Sequence, residues 1–240
     1  SIFSFHGGKA YWKIPRNIPY PITVSYGKPM KSDSDHNEVR REVVDLGTDA
    51  WSERKGRIST IGKAFIRTAR RARGRMAFAD STGKELTYMK ALIGAIVLSK
   101  KLRSEWKGQE NVGILLPPSV GGALTNLAGI LMGKTVVNLN YTLSEDAIKA
   151  CVKQCDIRCV ISSEKVIRKL NIDPGVPVIA IEEIAKNTSA VQKLSAAFMA
   201  YTIPRNLLLK SLGQGKVHSL DDTATIIFSS GSTGEPKGAM

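Results

Sequence analysis

The sequence predicts an α/β fold with a mainly parallel sheet flanked by helices, over residues 79–240. Short apolar runs of strand length alternate there with longer segments whose apolar residues recur at helical spacing. Hydrophobic residues make up 42% of the 240-residue chain, which is enough for a packed core. Alternation of this kind is typical of strand–helix–strand units with parallel strands.

The first 78 residues give a different pattern. A strand is predicted over residues 22–26, and a helix is predicted to begin after Asp35, where Glu38 completes a capping-box spacing. Residues 58–76 carry apolar positions at helical spacing with Arg and Lys between them, and we interpret them as a solvated, basic amphipathic linker helix. We therefore expect three regions, at 1–56, 57–78 and 79–240.

Within the third region, Asp80 and Gly83 mark a hairpin turn, and Ser119 and Ser144 are the predicted N-caps of two helices. Strands are predicted at 85–87, 112–116, 135–139, 159–162, 176–181 and 223–228, and helices at 88–102, 119–132, from 144 onward, and at 190–201.

One segment, residues 111–133, contains no charged side chain and is long enough to cross a bilayer. Pro117 and Pro118 interrupt it, and glycines and polar residues dilute it. A buried strand followed by a buried helix therefore accounts for it better than a transmembrane span.

The net charge of +14 is concentrated in part between Arg54 and Arg75, where nine basic residues occur without an acidic one. Such a cluster attracts anionic partners, so contact with an anionic membrane surface is the alternative to a solvated linker for residues 54–75. Trp12, Trp51 and Trp106 are too scattered for a platform that stacks nucleic-acid bases, so no nucleic acid is expected.

The three cysteines, Cys151, Cys155 and Cys159, lie four residues apart. Zinc sites use four ligands, and no histidine accompanies these residues, so we predict buried thiols and no metal site. So few cysteines also suit a reducing, cytoplasmic compartment.

The candidate binding site is the loop that follows the last predicted strand. Its glycines allow backbone N–H groups to converge on an anion, and its hydroxyls and lysine add donors and positive charge. Neither the Walker spacing nor the dinucleotide-binding Gly-x-Gly-x-x-Gly spacing is present. The predicted phosphate-binding residues are Ser229, Ser230, Gly231, Ser232, Thr233, Gly234, Lys237 and Gly238.

Residues 221–238 closely resemble the phosphate-loop signature of the adenylate-forming (AMP-binding) superfamily, and residues 86–88 and 137–141 resemble its earlier segments. The resemblance implies an enzyme that uses ATP with Mg²⁺ to convert a carboxylic acid into an acyl adenylate, followed by transfer to coenzyme A or an acyl carrier protein. It also implies that the remaining adenylate-binding residues and a catalytic lysine lie beyond Met240. We therefore expect a fragment that is inactive alone, with no catalytic residue inside it.

Residues 19–30 resemble the closing portion of the lysophospholipid acyltransferase family. Together, the two resemblances are similar to enzymes that join an acyl-carrier-protein synthetase to a 2-acylglycerophosphoethanolamine acyltransferase. They imply a fatty acid and a lysophospholipid as substrates, and a location at the cytoplasmic face of a membrane. The acyltransferase His-x-x-x-x-Asp pair follows none of His6, His36 or His218, so we expect it upstream of Ser1.

Two alternatives stay open at this point. The basic cluster alone would suit a non-enzymatic module that binds nucleic acid or an anionic membrane. The loop would equally suit a synthetase that activates an amino acid or an aryl acid.

Overall fold

The computed structural model describes residues 3–6, 9–12, 23–170, 172–215, 219–229 and 237–239. Contacts divide the chain into two compact units, Ser1–Ile58 and Ser59–Met240. The predicted boundaries near residues 56 and 78 stay predictions.

The first unit contains an antiparallel pair of strands, β1 (Phe3–His6) and β2 (Lys9–Trp12), and helix α1 (His36–Arg54) followed by a 3₁₀ turn. The predicted helix start is confirmed, because the Asp35 carboxylate caps α1 by accepting from the Asn37 N–H at 3.0 Å. The strand predicted at 22–26 is wrong over its described part, since residues 23–26 form no strand. Val24 and Tyr26 are exposed, so no buried face holds that segment extended.

The second unit contains an antiparallel hairpin, eight helices and a six-stranded sheet among its described residues. The hairpin strands are β3 (Met76–Ala79) and β4 (Glu85–Thr87). The sheet strands are β5 (Asn111–Ile114), β6 (Thr135–Asn138), β7 (Val160–Ser162), β8 (Val178–Ala180), β9 (Thr225–Ser229) and β10 (Lys237–Ala239). The helices are α2 (Ile61–Arg71), α3 (Tyr88–Lys101), α4 (Val120–Leu131), α5 (Glu145–Gln154), α6 (Glu164–Leu170), α7 (Ile181–Lys186), α8 (Ala190–Thr202) and α9 (Arg205–Ser211).

The strands of the sheet run in the order β10-β9-β6-β5-β7-β8. All neighbours are parallel except β9 and β10, which are antiparallel. The predicted α/β class with a mainly parallel sheet is therefore confirmed. Ser119 and Ser144 are the N-caps of α4 and α5, as predicted.

The charge-free segment of residues 111–133 forms β5 and α4, which confirms the interpretation as a strand and a helix. Within the described residues, no helix is long and apolar enough to cross a membrane.

Helices cover both faces of the sheet. α3 and α4 pack on one face around Trp106, and α5 packs on the other. α2, α8 and α9 pack over α3 as a further layer. The helix predicted within residues 58–76 is confirmed as α2, but it ends at Arg71, and Met76 begins β3. Its Ile66 and Ala69 are buried in this layer, so the apolar face of α2 is packed rather than solvated.

Candidate functional site

The predicted phosphate-binding loop connects β9 to β10. Ser229 ends β9, Lys237 begins β10, and the two residues are paired across the strands, with Gly238 opposite Phe228. Of the predicted site residues, Ser229, Lys237 and Gly238 thus lie on described strands. Ser230, Gly231, Ser232, Thr233 and Gly234 lie outside the described residues. The return strand β10 was not predicted, because its Lys, Gly and Ala residues show no apolar alternation.

The position of this loop is that of a ligand site in α/β proteins. β5, β6 and β9 are parallel, so their carboxyl ends meet at one edge of the sheet, and the loop leaves the carboxyl end of β9. Ligands of open α/β sheets bind in the crevice outside this edge.

Gly238 has a packing role in addition to the predicted one. A Cβ atom at this position would lie 3.2 Å from Ile226 Cγ2 and 3.3 Å from Phe228 Cε1. Such distances require the neighbours to move, so a glycine lets β10 lie close against β9.

A cavity of about 800 Å³ opens at the same edge. Its walls come from the β3–β4 hairpin, the loop after β5, the start of α4 and the ends of β6 and β9. A second cavity of about 860 Å³ lies at the opposite edge, around residues 108–111 and 132–135. Both volumes suit a small molecule, and the first is the candidate site because it lies at the carboxyl edge, where β9 ends.

The N-terminus of α4 lies at this cavity, and two of its N–H groups are bonded to side chains. Ser119 Oγ accepts from the Gly122 N–H at 3.1 Å, and Asp80 Oδ2 accepts from the Val120 N–H at 3.0 Å. Hydrogen bonds from the Thr82 hydroxyl and then from Val120 lower the pKa of Asp80 to about 2. A carboxylate thus lies at the positive end of the α4 dipole, a position where negative charge is stabilised.

One wall of the cavity is fixed by a pair of amides. Asn126 Nδ2 donates to Asn138 Oδ1 at 3.0 Å, and Asn138 Nδ2 donates to Asn126 Oδ1 at 2.9 Å. Asn138 also donates to Thr225 Oγ1, at 3.3 Å, and so connects β6 with β9. This network joins α4 to two strands, β6 and β9. No local sequence pattern predicts it, because the partners are 12 and 87 residues apart.

The earlier segments that resemble the superfamily have structural roles here. Thr87 Oγ1 accepts from the Lys90 N–H and caps α3, so residues 86–88 carry the chain from β4 into that helix. Asn138, Leu139, Asn140 and Tyr141 line the cavity.

The three cysteines are free and buried, as predicted. Burial raises the pKa of all three thiols, that of Cys151 to about 11. Across the described part of the chain, no group of three or more His, Cys, Asp or Glu side chains is arranged to hold a metal ion.

The chain is similar in sequence to a peptide synthetase and to an acyl-CoA ligase. The chain is 30% identical over 157 residues to the nonribosomal peptide synthetase gloA of Glarea lozoyensis, which covers 65% of this chain and 2% of that one. It is 28% identical to the peroxisomal acyl-CoA ligase 891 of Penicillium roqueforti, covering 61% and 23% of the two chains. The chain thus spans less than a quarter of the length of these curated relatives.

Solved structures support the fold. A fatty acyl-adenylate ligase from L. pneumophila, solved with acyl adenylate and pyrophosphate, superposes with a TM-score of 0.54 at 20% identity, covering 75% of this chain and 30% of that one. The family model described as AMP-binding enzyme matches residues 65–240, which include the cavity walls and the β9–β10 loop. The chain therefore belongs to the AMP-binding enzyme family.

Proposed function

We propose that the protein containing this chain is an ATP-dependent ligase that activates a carboxylic acid as an acyl adenylate. The observation that carries the proposal is the loop rich in Ser, Thr and Gly between β9 and β10, at the carboxyl edge of the sheet. Its eight proposed contact residues are Ser229, Ser230, Gly231, Ser232, Thr233, Gly234, Lys237 and Gly238.

The proposed reaction begins when a carboxylate oxygen of the acid attacks the α-phosphorus of ATP. The bond from that phosphorus to the oxygen bridging the β-phosphate breaks, and pyrophosphate leaves with the electron pair. Negative charge therefore grows on the β- and γ-phosphates. The hydroxyls and the lysine of the loop are donors of the type that stabilises such charge, and the glycines allow backbone N–H groups to approach.

Magnesium would screen the phosphate charge when it is bound with ATP. It commonly keeps several waters and binds through substrate phosphates with one or two carboxylates. The hydroxyls and the lysine of the loop would contact the phosphates that carry the ion.

We propose a fatty acid as the acid, and coenzyme A or an acyl carrier protein as the thiol that displaces AMP. The names of two relatives support this choice, an acyl-CoA ligase and a fatty acyl-adenylate ligase. A nonribosomal peptide synthetase and a 4-coumarate–CoA ligase-like protein also match, so amino acids and aryl acids are the competing substrates.

We further propose that residues 1–56 close an acyltransferase domain that passes the acyl group to a lysophospholipid at the cytoplasmic face of a membrane. The resemblance of residues 19–30 supports this. If it is right, the full-length protein will transfer a labelled acyl group from its carrier to lysophosphatidylethanolamine. No labelled diacyl product would contradict it.

The ligase proposal is tested by acid-dependent exchange of pyrophosphate into ATP, measured on the full-length protein with fatty, aryl and amino acids. Lys237→Ala removes one stabilising donor, and Gly234→Ala restricts the backbone that presents N–H groups. Each should reduce the exchange at least about tenfold. Lys107→Ala is the matched control, since Lys107 is exposed just before β5, at the opposite edge of the sheet. Exchange that survives both loop substitutions would overturn the assignment.

A further inference from the structure

Helix α8 exposes an apolar stripe that the proposed ligase chemistry does not use. Val191, Leu194, Phe198 and Tyr201 are 76%, 73%, 65% and 47% exposed. Their spacing of three, four and three residues places them on one side of the helix. Ala196 and Ala200, on the opposite side, are fully buried against the helical layer. The stripe therefore faces outward.

The stripe is held on a fixed helix. Ser189 and Gln192 form a capping box at its start. At its end, Arg70 of α2 donates from Nε to the Ala200 carbonyl at 2.8 Å and from Nη2 to the Ile203 carbonyl at 2.5 Å. Backbone groups at both ends of α8 are thus hydrogen-bonded, so the exposed apolar side chains lie on an ordered helix.

Two basic side chains border the stripe. Arg73 lies over the Tyr201 ring, with 5.1 Å from its Cζ to the ring centroid, and Lys100 donates to Ser195 on the neighbouring side of α8. The four packed helices α2, α3, α8 and α9 contain no Asp or Glu. Their basic residues are Lys63, Arg67, Arg70, Arg71, Lys90, Lys100, Lys101, Lys193, Arg205 and Lys210.

We propose that α8 and the exposed arginines of α2 form a surface that docks on an anionic lipid bilayer. The outward stripe would enter the boundary between headgroups and acyl chains, while the flanking cations contact lipid phosphates. An outward apolar stripe bordered by Lys and Arg is the arrangement found in helices that lie in a membrane interface.

Charge decides between this occupant and a second copy of the chain. Two copies meeting through this surface would bring the basic residues of both α2 helices together, which is unfavourable. A bilayer carrying negative lipids complements the same charges. This proposal does not depend on the ligase chemistry, because its readout is binding to vesicles.

The test is co-sedimentation of the full-length protein with phosphatidylcholine vesicles, with and without phosphatidylglycerol. We expect binding to the anionic vesicles that weakens with added salt. The double variant Leu194→Ser with Phe198→Ser should lower the partition coefficient at least about tenfold, since two large side chains lose their apolar burial. Arg67→Gln with Arg71→Gln should lower it roughly fivefold per charge.

The matched control is Val43→Ser with Val44→Ser, two exposed valines of α1, which should leave binding unchanged. Thermal unfolding of each variant shows whether a loss of vesicle binding is accompanied by a loss of stability. The proposal is overturned if the α8 pair binds vesicles like the unmodified protein. It is equally overturned if the α8 pair lowers the unfolding temperature or dissociates an oligomer, because the stripe would then be covered by protein.

Discussion

The Asp80 carboxylate accepts a hydrogen bond from the Val120 N–H at 3.0 Å and thereby connects the β3–β4 hairpin to the start of α4. The same carboxylate accepts from the Thr82 hydroxyl at 2.6 Å and from the Thr82 N–H at 2.9 Å. Asp80 thus organises its own turn and also caps a helix 40 residues further along the chain. Both elements are walls of the candidate site.

Asp80 should make stability depend on pH in acid. Its pKa in the folded protein is about 2, below the ordinary value of 3.8. The folded state therefore binds fewer protons than the unfolded state, and the stabilisation is complete above the unfolded pKa and is lost as the pH falls toward about 2. Urea unfolding should show a difference between the unmodified protein and Asp80→Asn that is constant near neutral pH and shrinks below about pH 4.

A second variant tests the cause of this shift. Thr82→Val removes the hydroxyl that contributes most to lowering the pKa of Asp80. Carboxyl titration by NMR should place the Asp80 pKa of this variant closer to its ordinary value. For the first variant, a stability difference between Asp80→Asn and the unmodified protein that does not change with pH would contradict the lowered pKa of Asp80.

Gly129 should not tolerate a side chain. A Cβ atom there would lie 2.6 Å from Val136 Cγ2, and Val136 is fully buried in β6. Gly129→Ala should lower the free energy of unfolding by about 1–3 kcal/mol, because the core must shift to accept the methyl group. Gly62→Ala in α2 is the control, since its nearest neighbour would be at an ordinary 3.5 Å. Equal stability of the two variants in denaturant unfolding would refute the close approach of α4 and β6.

The Asn126–Asn138 pair should behave as a unit. Removing either amide leaves the half-buried amide oxygen of the other without its donor, so each Ala variant should cost about 1–3 kcal/mol in the free energy of unfolding. The double variant should cost less than the sum, with a coupling of roughly 0.5–3 kcal/mol. Denaturant unfolding of the four proteins measures this cycle. Strictly additive costs would show that the two amides do not depend on each other.

The cysteines should be unreactive in the folded protein. Burial, and then the nearby Cys155, raise the pKa of Cys151 to about 11, so its thiol stays protonated near neutral pH. Because the thiolate is the reactive form, alkylation by iodoacetamide should be slow at Cys151, Cys155 and Cys159 until urea unfolds the chain. Peptide mapping by mass spectrometry reads each site separately. Rapid labelling of Cys151 before unfolding would argue against its buried position.

Local sequence patterns determined most of the individual elements. Ser119 and Ser144 cap helices within three residues of themselves. The strand and the helix within residues 111–133 could be predicted from that charge-free segment alone. The glycines, hydroxyls and lysine of the loop after β9 likewise indicate phosphate chemistry from neighbouring residues alone. Such features depend on hydrogen bonds and conformational preferences over one helical turn or one strand, which the sequence records directly.

Short elements escaped the sequence analysis for the corresponding reason. α6, α7 and α9 have six or seven residues, and β10 has three, so none of them repeats its apolar pattern often enough to be recognised. The strand predicted at 22–26 was wrong for a different reason. Its composition suits a strand, but residues 23–26 lie on no buried face.

Only the tertiary structure decided which distant groups meet. β9 pairs with β6 rather than with its predecessor β8, and this pairing brings the end of β9 to the wall of the cavity. Asp80 reaches Val120, Arg70 reaches the end of α8, and Asn138 reaches Thr225. These contacts follow from burial and from the satisfaction of buried polar groups across the whole second unit, and no local pattern encodes them.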